Sequence, residues 1–202
     1  MKCIYCNKPA GFFKLQHQEC YEQIKPIFEE VSKVIGLFNS GEITSELAKD
    51  KLIKIAINEK LYSEYLKNCT NNNKDIWNTE IILYCENGLT ISESKNRAKM
   101  IRTGYRYERK PVWNVNNLKL EDNVSFVFTN QSVYMLFSQT SMRYPYNKIV
   151  NIGYDKVNLY TYFDVKTTSP HPHRFYINTD NRTEDNRLAD ICSLLKCFTR
   201  LE

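Results

Sequence analysis

Three cysteines and a histidine stand within the first twenty residues, in the pattern Cys3-x2-Cys6-x10-His17-x2-Cys20. A C-x2-C pair folds into a tight turn that brings both sulfurs toward one point. His17 and Cys20, at i and i+3 on a helical turn, share a face. Thiolate sulfur and imidazole nitrogen in two such pairs form the four-ligand, tetrahedral donor set that zinc prefers. The expected cofactor is one structural zinc ion, because four protein ligands leave no open position for a catalytic water. A redox C-x-x-C is the weaker rival, since it lacks a βαβ setting and leaves His17 and Cys20 without a role. So short a segment has too little apolar surface to form a core, so metal binding is expected to supply most of its folding free energy.

The knuckle is similar to half of a LIM-type or treble-clef unit. Its second pair departs from the H-x3–5-H of DNA-reading fingers, so groove reading is not inherited from them. The other cysteines, Cys69, Cys85, Cys192 and Cys197, bring the total to an odd seven and have no framework spacing. That usage fits a reducing compartment. The start of the chain has no apolar signal region, and runs such as "EIILYC" fall far short of the roughly 18 to 20 apolar residues of a membrane span. A cytoplasmic protein is expected.

A second chemical feature is charge. The net charge is +5, yet Lys95, Arg97, Lys99, Arg102, Arg106, Arg109 and Lys110 face only Glu108 within one sixteen-residue stretch. Essentially all the excess positive charge lies there, with Tyr105, Tyr107 and Trp113 interleaved or adjacent. A solvated helix face accounts for such a run; so does a surface for nucleic acid or an acidic partner. No G-x-S-x-G, H-E-x-x-H, Walker or G-x-G-x-x-G pattern occurs, and the six glycines are scattered. A non-catalytic role is therefore expected. His171 and His173, in "SPHPHRF", read as part of a proline-stiffened connection rather than a second metal site.

Helices and strands must position these groups. Apolar residues at Tyr21, Ile24, Ile27, Phe28, Val31, Ile35 and Phe38 have helical spacing, with Pro26 predicting a kink or a fresh start. Thr44 or Ser45 caps a second helix, Leu61 to Leu66 continue in a third, and residues 68–75 read as a loop. "NGLTISESKNRAKMIRTG" repeats the Gly, Thr and Ser/Glu helix start of "SGEITSELAKDKLIKIA", which predicts a further helix. From Val124 the texture is β: "VSFVFT", "SVYMLFS", "KIVNIGY", "VNLYTYFDVKT" and "HRFYINT". A closing amphipathic helix carries Leu188, Ile191, Cys192, Leu195 and Phe198 on one stripe, with Thr183 as its cap.

Phe128-Thr129-Asn130, Tyr134, Tyr146 and Lys148-Ile149 resemble the core of bacterial pleckstrin-homology-like (PH-like) domains. Together with the knuckle and the helices, the chain resembles uncharacterised bacterial and prophage proteins. The resemblance implies an α+β fold: a zinc knuckle plus helix over 1–40, a helical middle over 41–110, and a PH-like antiparallel barrel with its closing helix over 111–202. It brings no catalytic residues. The role expected is that of a protein-binding or regulatory molecule, and the resemblance implies a phage or defence setting. Nucleic-acid binding through residues 95–110 is the alternative. Membrane lipid is disfavoured, because Arg143, Lys148, Lys156 and Arg174 are dispersed.

Overall fold

The computed structural model describes residues 1–11, 15–70, 74–94, 97–103, 106–112, 119–155, 160–168, 172–179 and 185–199. After the Cys/His knuckle come four helices, α1 (Gln18–Asn39), α2 (Ser45–Asn58), α3 (Lys60–Cys69) and α4 (Lys74–Thr79). Among the described residues nine strands follow: β1 (Ile82–Ser94), β2 (Arg97–Thr103), β3 (Arg106–Val112), β4 (Lys119–Thr129), β5 (Ser132–Leu136), β6 (Ser141–Pro145), β7 (Ile149–Asp155), β8 (Tyr160–Val165) and β9 (His173–Thr179). Helix α5 (Asp185–Thr199) ends the described chain.

Helix α1 is continuous through Pro26, with neither a break nor a restart there. Proline removes one i→i−4 bond and costs about 3 kcal/mol in a helix interior. The same helix buries Ile24, Ile27, Val31, Val34 and Ile35. At about 1.5–3 kcal/mol for each buried side chain, packing outweighs that cost. Helix α2 starts at Thr44, whose hydroxyl accepts the Leu47 amide at 3.3 Å. Val34, Ile35, Ala48, Leu52, Leu194 and Cys197 meet where α1, α2 and α5 join.

Seven strands form one antiparallel sheet in the order β6-β5-β4-β1-β9-β8-β7, and β2 and β3 form a separate two-stranded sheet. The sheet is not closed. Its two edge strands are nonetheless joined by only the 3-10 turn Tyr146–Lys148, so both edges reach one corner. Phe126 meets Phe163 edge-on at 5.7 Å, and Phe163 stacks on Phe175 at 5.3 Å. Phe198 of α5 stacks on Tyr146 at 5.0 Å and lies 6.3 Å from Phe128, which joins the helix to this aromatic core. Of the expected α5 stripe, Leu188, Ile191, Leu195 and Phe198 are buried and Cys192 is half-buried. Thr183 lies outside the described residues.

The helical middle expected to reach residue 110 ends at Thr79, and the predicted second Gly-Thr-Ser/Glu helix is strand. The reason is the central place of β1. It pairs with β4 on one side and β9 on the other, burying Ile82, Leu83, Cys85, Leu89 and Ile91. Gly88, at φ 70°, sits in a register shift between Glu86 and Leu89, and Asn123, at φ 58°, faces the next one. Left-handed residues of these types let the extra residue of a bulge bend the strand. Gly153 serves a different need: an added Cβ would lie 2.5 Å from the Tyr162 hydroxyl.

One buried carboxylate ties the helices to the sheet. Glu80, between α4 and β1, accepts from the Tyr134 hydroxyl at 2.8 Å and from Arg143 at 2.7 Å, and also from the Thr129 hydroxyl. Thr129 in turn accepts the amides of Gln131 and Ser132, fixing the β4–β5 turn. Asn130 accepts the Ile81 amide on its side chain and donates its own amide to the Ile81 carbonyl. Tyr146 donates to the Thr129 carbonyl at 2.7 Å. Burial and then the hydrogen bond to Glu80 push the Tyr134 phenol up to about 12.

Two substitutions test these contacts. Pro26 is exposed, so Pro26→Ala should restore a helical bond and raise stability by about 1–2 kcal/mol, after the loss of proline's restriction of the unfolded chain. Arg143→Ala strands a carboxylate that is 2% exposed. It should cost about 3 kcal/mol in denaturant unfolding, and adding Glu80→Gln should recover part of that loss.

Candidate metal centre

The knuckle is built by backbone hydrogen bonds before any side chain is considered. Lys2 bridges Pro9, the Cys3 amide donates to the Lys8 carbonyl, and the Asn7 amide donates to the Cys3 carbonyl, the last two at 2.8 Å. Asn7 closes the turn at φ 57°, a left-handed conformation that asparagine tolerates well. The turn returns Cys6 toward Cys3. The Ile4 amide donates to the Leu15 carbonyl at 2.9 Å, which draws the segment preceding His17 alongside. His17 is the N-cap of α1 in extended backbone, with no side-chain capping bond. It is thus just outside the helix, and only Cys20 lies in the first turn. The sequence also predicts a short hairpin at Phe12 and Phe13 over the site, and both lie outside the described residues.

Cys3, Cys6, His17 and Cys20 converge, with all four ligand atoms within 4.8 Å of one another. Cys3 is buried and the other three are half-buried. His17 Nδ1 lies 3.4 Å from the Cys6 sulfur and 3.6 Å from the Cys20 sulfur. Its Nε2 is 2.9 Å from the Pro9 carbonyl oxygen. A carbonyl oxygen only accepts, so Nε2 carries the proton and Nδ1 presents a lone pair to the sulfurs. This is the outer hydrogen bond that orients a metal-bound imidazole. A tetrahedron with metal–sulfur bonds of about 2.3 Å and metal–nitrogen bonds of about 2.0–2.1 Å has S···N edges of about 3.6 Å and S···S edges of about 3.8 Å. The two S···N distances already match. The group could bind a metal ion.

The electrostatics favour the same conclusion. Burial opposes ionisation of Cys3, but the backbone amides of Cys6, His17 and Tyr5, with the Cys6 thiol, outweigh it and lower the thiol to about 6. Cys20 is pushed up to about 12 by burial, then by its hydrogen bond to Cys6 and the negative charge of Cys3 and Cys6. The first thiolate forms easily and the last resists. A divalent cation removes that conflict by pairing with all of them.

The centre is fixed to the helical layer by aromatic and amide contacts. Tyr5 meets Tyr65 of α3 at 5.7 Å, and Tyr65 meets Phe28 of α1 edge-on at 5.2 Å. Asn68 donates to the Ile4 carbonyl at 3.1 Å. Pro9, Tyr65 and Asn68 are supporting residues that spacing alone did not identify, because two of them lie far from the knuckle in sequence.

The basic stretch is not a helix face. Arg97, Lys99 and Arg102 lie on β2 and Arg106, Arg109 and Lys110 on β3. Lys95, Tyr105 and Trp113 lie outside the described residues, as does His171. His173 faces Glu93, with Nδ1 3.2 Å from Oε1. No described helix is long and apolar enough to cross a membrane. No family model matches the chain, and no curated protein matches it.

Removing a ligand should empty the centre. Purified protein should carry about one metal ion per chain, and Cys6→Ser or His17→Ala should lower that content and the melting temperature. Protons compete for the thiolates, so metal should be released as pH falls through about 6 and retained as pH rises from 7 toward 9. The sign follows from Cys3: a lowered thiol pKa contributes stability above its ordinary value of 9.0, and that contribution is lost as pH falls through about 6. Metal content read across this range checks both statements.

Proposed function

We propose that the chain is a non-catalytic binding protein in which a structural zinc ion organises the amino terminus and a PH-like sheet presents a docking edge for a protein partner. Zinc is favoured by the donor set. Three sulfurs and one imidazole suit a tetrahedral, borderline-soft ion, whereas calcium and magnesium require oxygen ligands. Four protein ligands leave no position for substrate or water, which supports a structural rather than a catalytic role.

The PH-like reading rests on strand order. Seven antiparallel strands pair so that the first lies beside the last, and a carboxy-terminal helix follows. The residues that carry the resemblance also act together, since Thr129, Tyr134 and Tyr146 belong to the network around Glu80. A phage or defence setting is part of this proposal through resemblance alone.

The observation that carries the binding role is the open edge at β6. That strand ends the sheet order, and Ser141, Met142 and Arg143 on it are exposed. An extended segment can add to such an edge by backbone hydrogen bonds. Met142, 37% exposed, supplies an adaptable apolar contact.

Affinity recovery from the native host should yield one stoichiometric protein, with or without nuclease. Met142→Lys should weaken that complex at least tenfold while changing stability by no more than about 0.5 kcal/mol. A partner that vanishes with nuclease, or one indifferent to Met142→Lys, would contradict this role.

A further inference from the structure

The β2–β3 ribbon is an insertion at the tip of the β1–β4 hairpin. The last β1–β4 pair is Glu93 with Lys119, and the chain between them forms its own two-stranded sheet. Its register sets Arg97 opposite Val112, Lys99 opposite Lys110, Met100 opposite Arg109, Arg102 opposite Tyr107 and Thr103 opposite Arg106. Six of the fourteen residues in the two strands are basic, and Glu108 is the single acidic one. Cross-strand partners share a face, as do alternate residues along a strand. Arg97, Lys99, Lys110 and Arg106 therefore fall on one face together with Glu108, leaving it a net charge of +3, and Arg102 and Arg109 fall on the other.

This arrangement has a cost. Like charges directly opposite each other, as at Lys99 and Lys110, destabilise a strand pair, and a two-stranded ribbon is marginal by itself. A polyanion lying along the ribbon removes the repulsion. The basic positions run from Arg97 at the base of the ribbon to Arg106 at its tip, a span of about 20 Å at roughly 3.3 Å per residue. A linear array of phosphates matches that distribution, whereas a single headgroup would need the charge gathered at one end. A two-stranded ribbon also fits the major groove of B-form DNA, about 12 Å wide.

We infer that the β2–β3 ribbon is a binding element for duplex DNA, with Arg97, Lys99, Arg106 and Lys110 as its phosphate-contacting face. This goes beyond the proposed protein-docking role and does not depend on it. The recognition is electrostatic and sequence-tolerant, because it rests on phosphate neutralisation.

The test uses the full chain and a mixed-sequence duplex of about 20 base pairs, with fluorescence anisotropy read across a salt series. Four neutralised phosphates predict a log–log slope of about −3.6. Lys99→Glu converts the like-charge pair with Lys110 into an opposite-charge pair, so the ribbon should fold at least as well. Affinity should nevertheless fall at least tenfold, and the slope should become shallower. Lys110→Glu should behave the same way. Absence of binding at low salt, a salt-independent affinity, or full affinity in both variants with an unchanged melting profile would overturn the inference. So would preferential binding to phosphatidylserine-containing vesicles over the duplex, which would assign the ribbon to a membrane surface.

Discussion

Three sulfurs and one imidazole lone pair crowded within 4.8 Å form the constraint on which the amino-terminal architecture depends. Ionised thiols so placed repel one another, and protonated thiols give up the strongest bonds the site can make. A cation resolves the conflict and turns a destabilising cluster into a fastening. Such a fastening would reach further than the knuckle. His17 is both a ligand candidate and the N-cap of α1, so the ion would fix where that helix begins. The start of α1 then sets the phase at which Ile24, Ile27, Val31 and Val34 meet their neighbours. Tyr5 and Phe28, both packed on Tyr65, carry the same restraint into α3.

Glu80 plays the corresponding part at the other end of the helical layer. A carboxylate held by arginine, tyrosine and threonine is worth little as a net source of stability, yet it is costly to disrupt and admits few alternative arrangements. Its position between α4 and β1 means that the first strand of the sheet enters at one register. Asn130 reinforces this through two hydrogen bonds to Ile81. The helical layer and the sheet are therefore joined by directional contacts as well as by packing of α2 and α3 against β1.

Legibility from sequence followed the range of each interaction. The Cys/His cluster was readable because the turn at Cys3 and Cys6 and the start of α1 at His17 and Cys20 are local features. Strands β4, β5, β7, β8 and β9 were readable from β-branched and aromatic runs, and α5 from its apolar stripe. Strand β1 was not, because its alternation is confined to two short runs, with Leu83 and Cys85 and then Leu89 and Ile91 buried and Tyr84, Glu86 and Thr90 half-buried. Gly88 and Asn87 interrupt it further, and Thr90, Ser92 and Glu93 imitate a helix start. The basic residues can be counted from the sequence, but their arrangement cannot be read there, since only the β2–β3 register places Lys99 opposite Lys110. The Glu80 network was invisible for another reason: its members are spread from residue 80 to residue 146, and no spacing rule connects them.

X-ray absorption at the metal edge of the purified protein tests most directly whether three sulfurs and one Nδ1 nitrogen form a closed metal site. The predicted result is a zinc edge with three sulfur scatterers at about 2.3 Å and one imidazole nitrogen at about 2.0–2.1 Å, with no oxygen ligand. A metal coordinated by oxygen, a shell lacking imidazole, or a natively folded protein that takes up no metal from a zinc-containing buffer would contradict it.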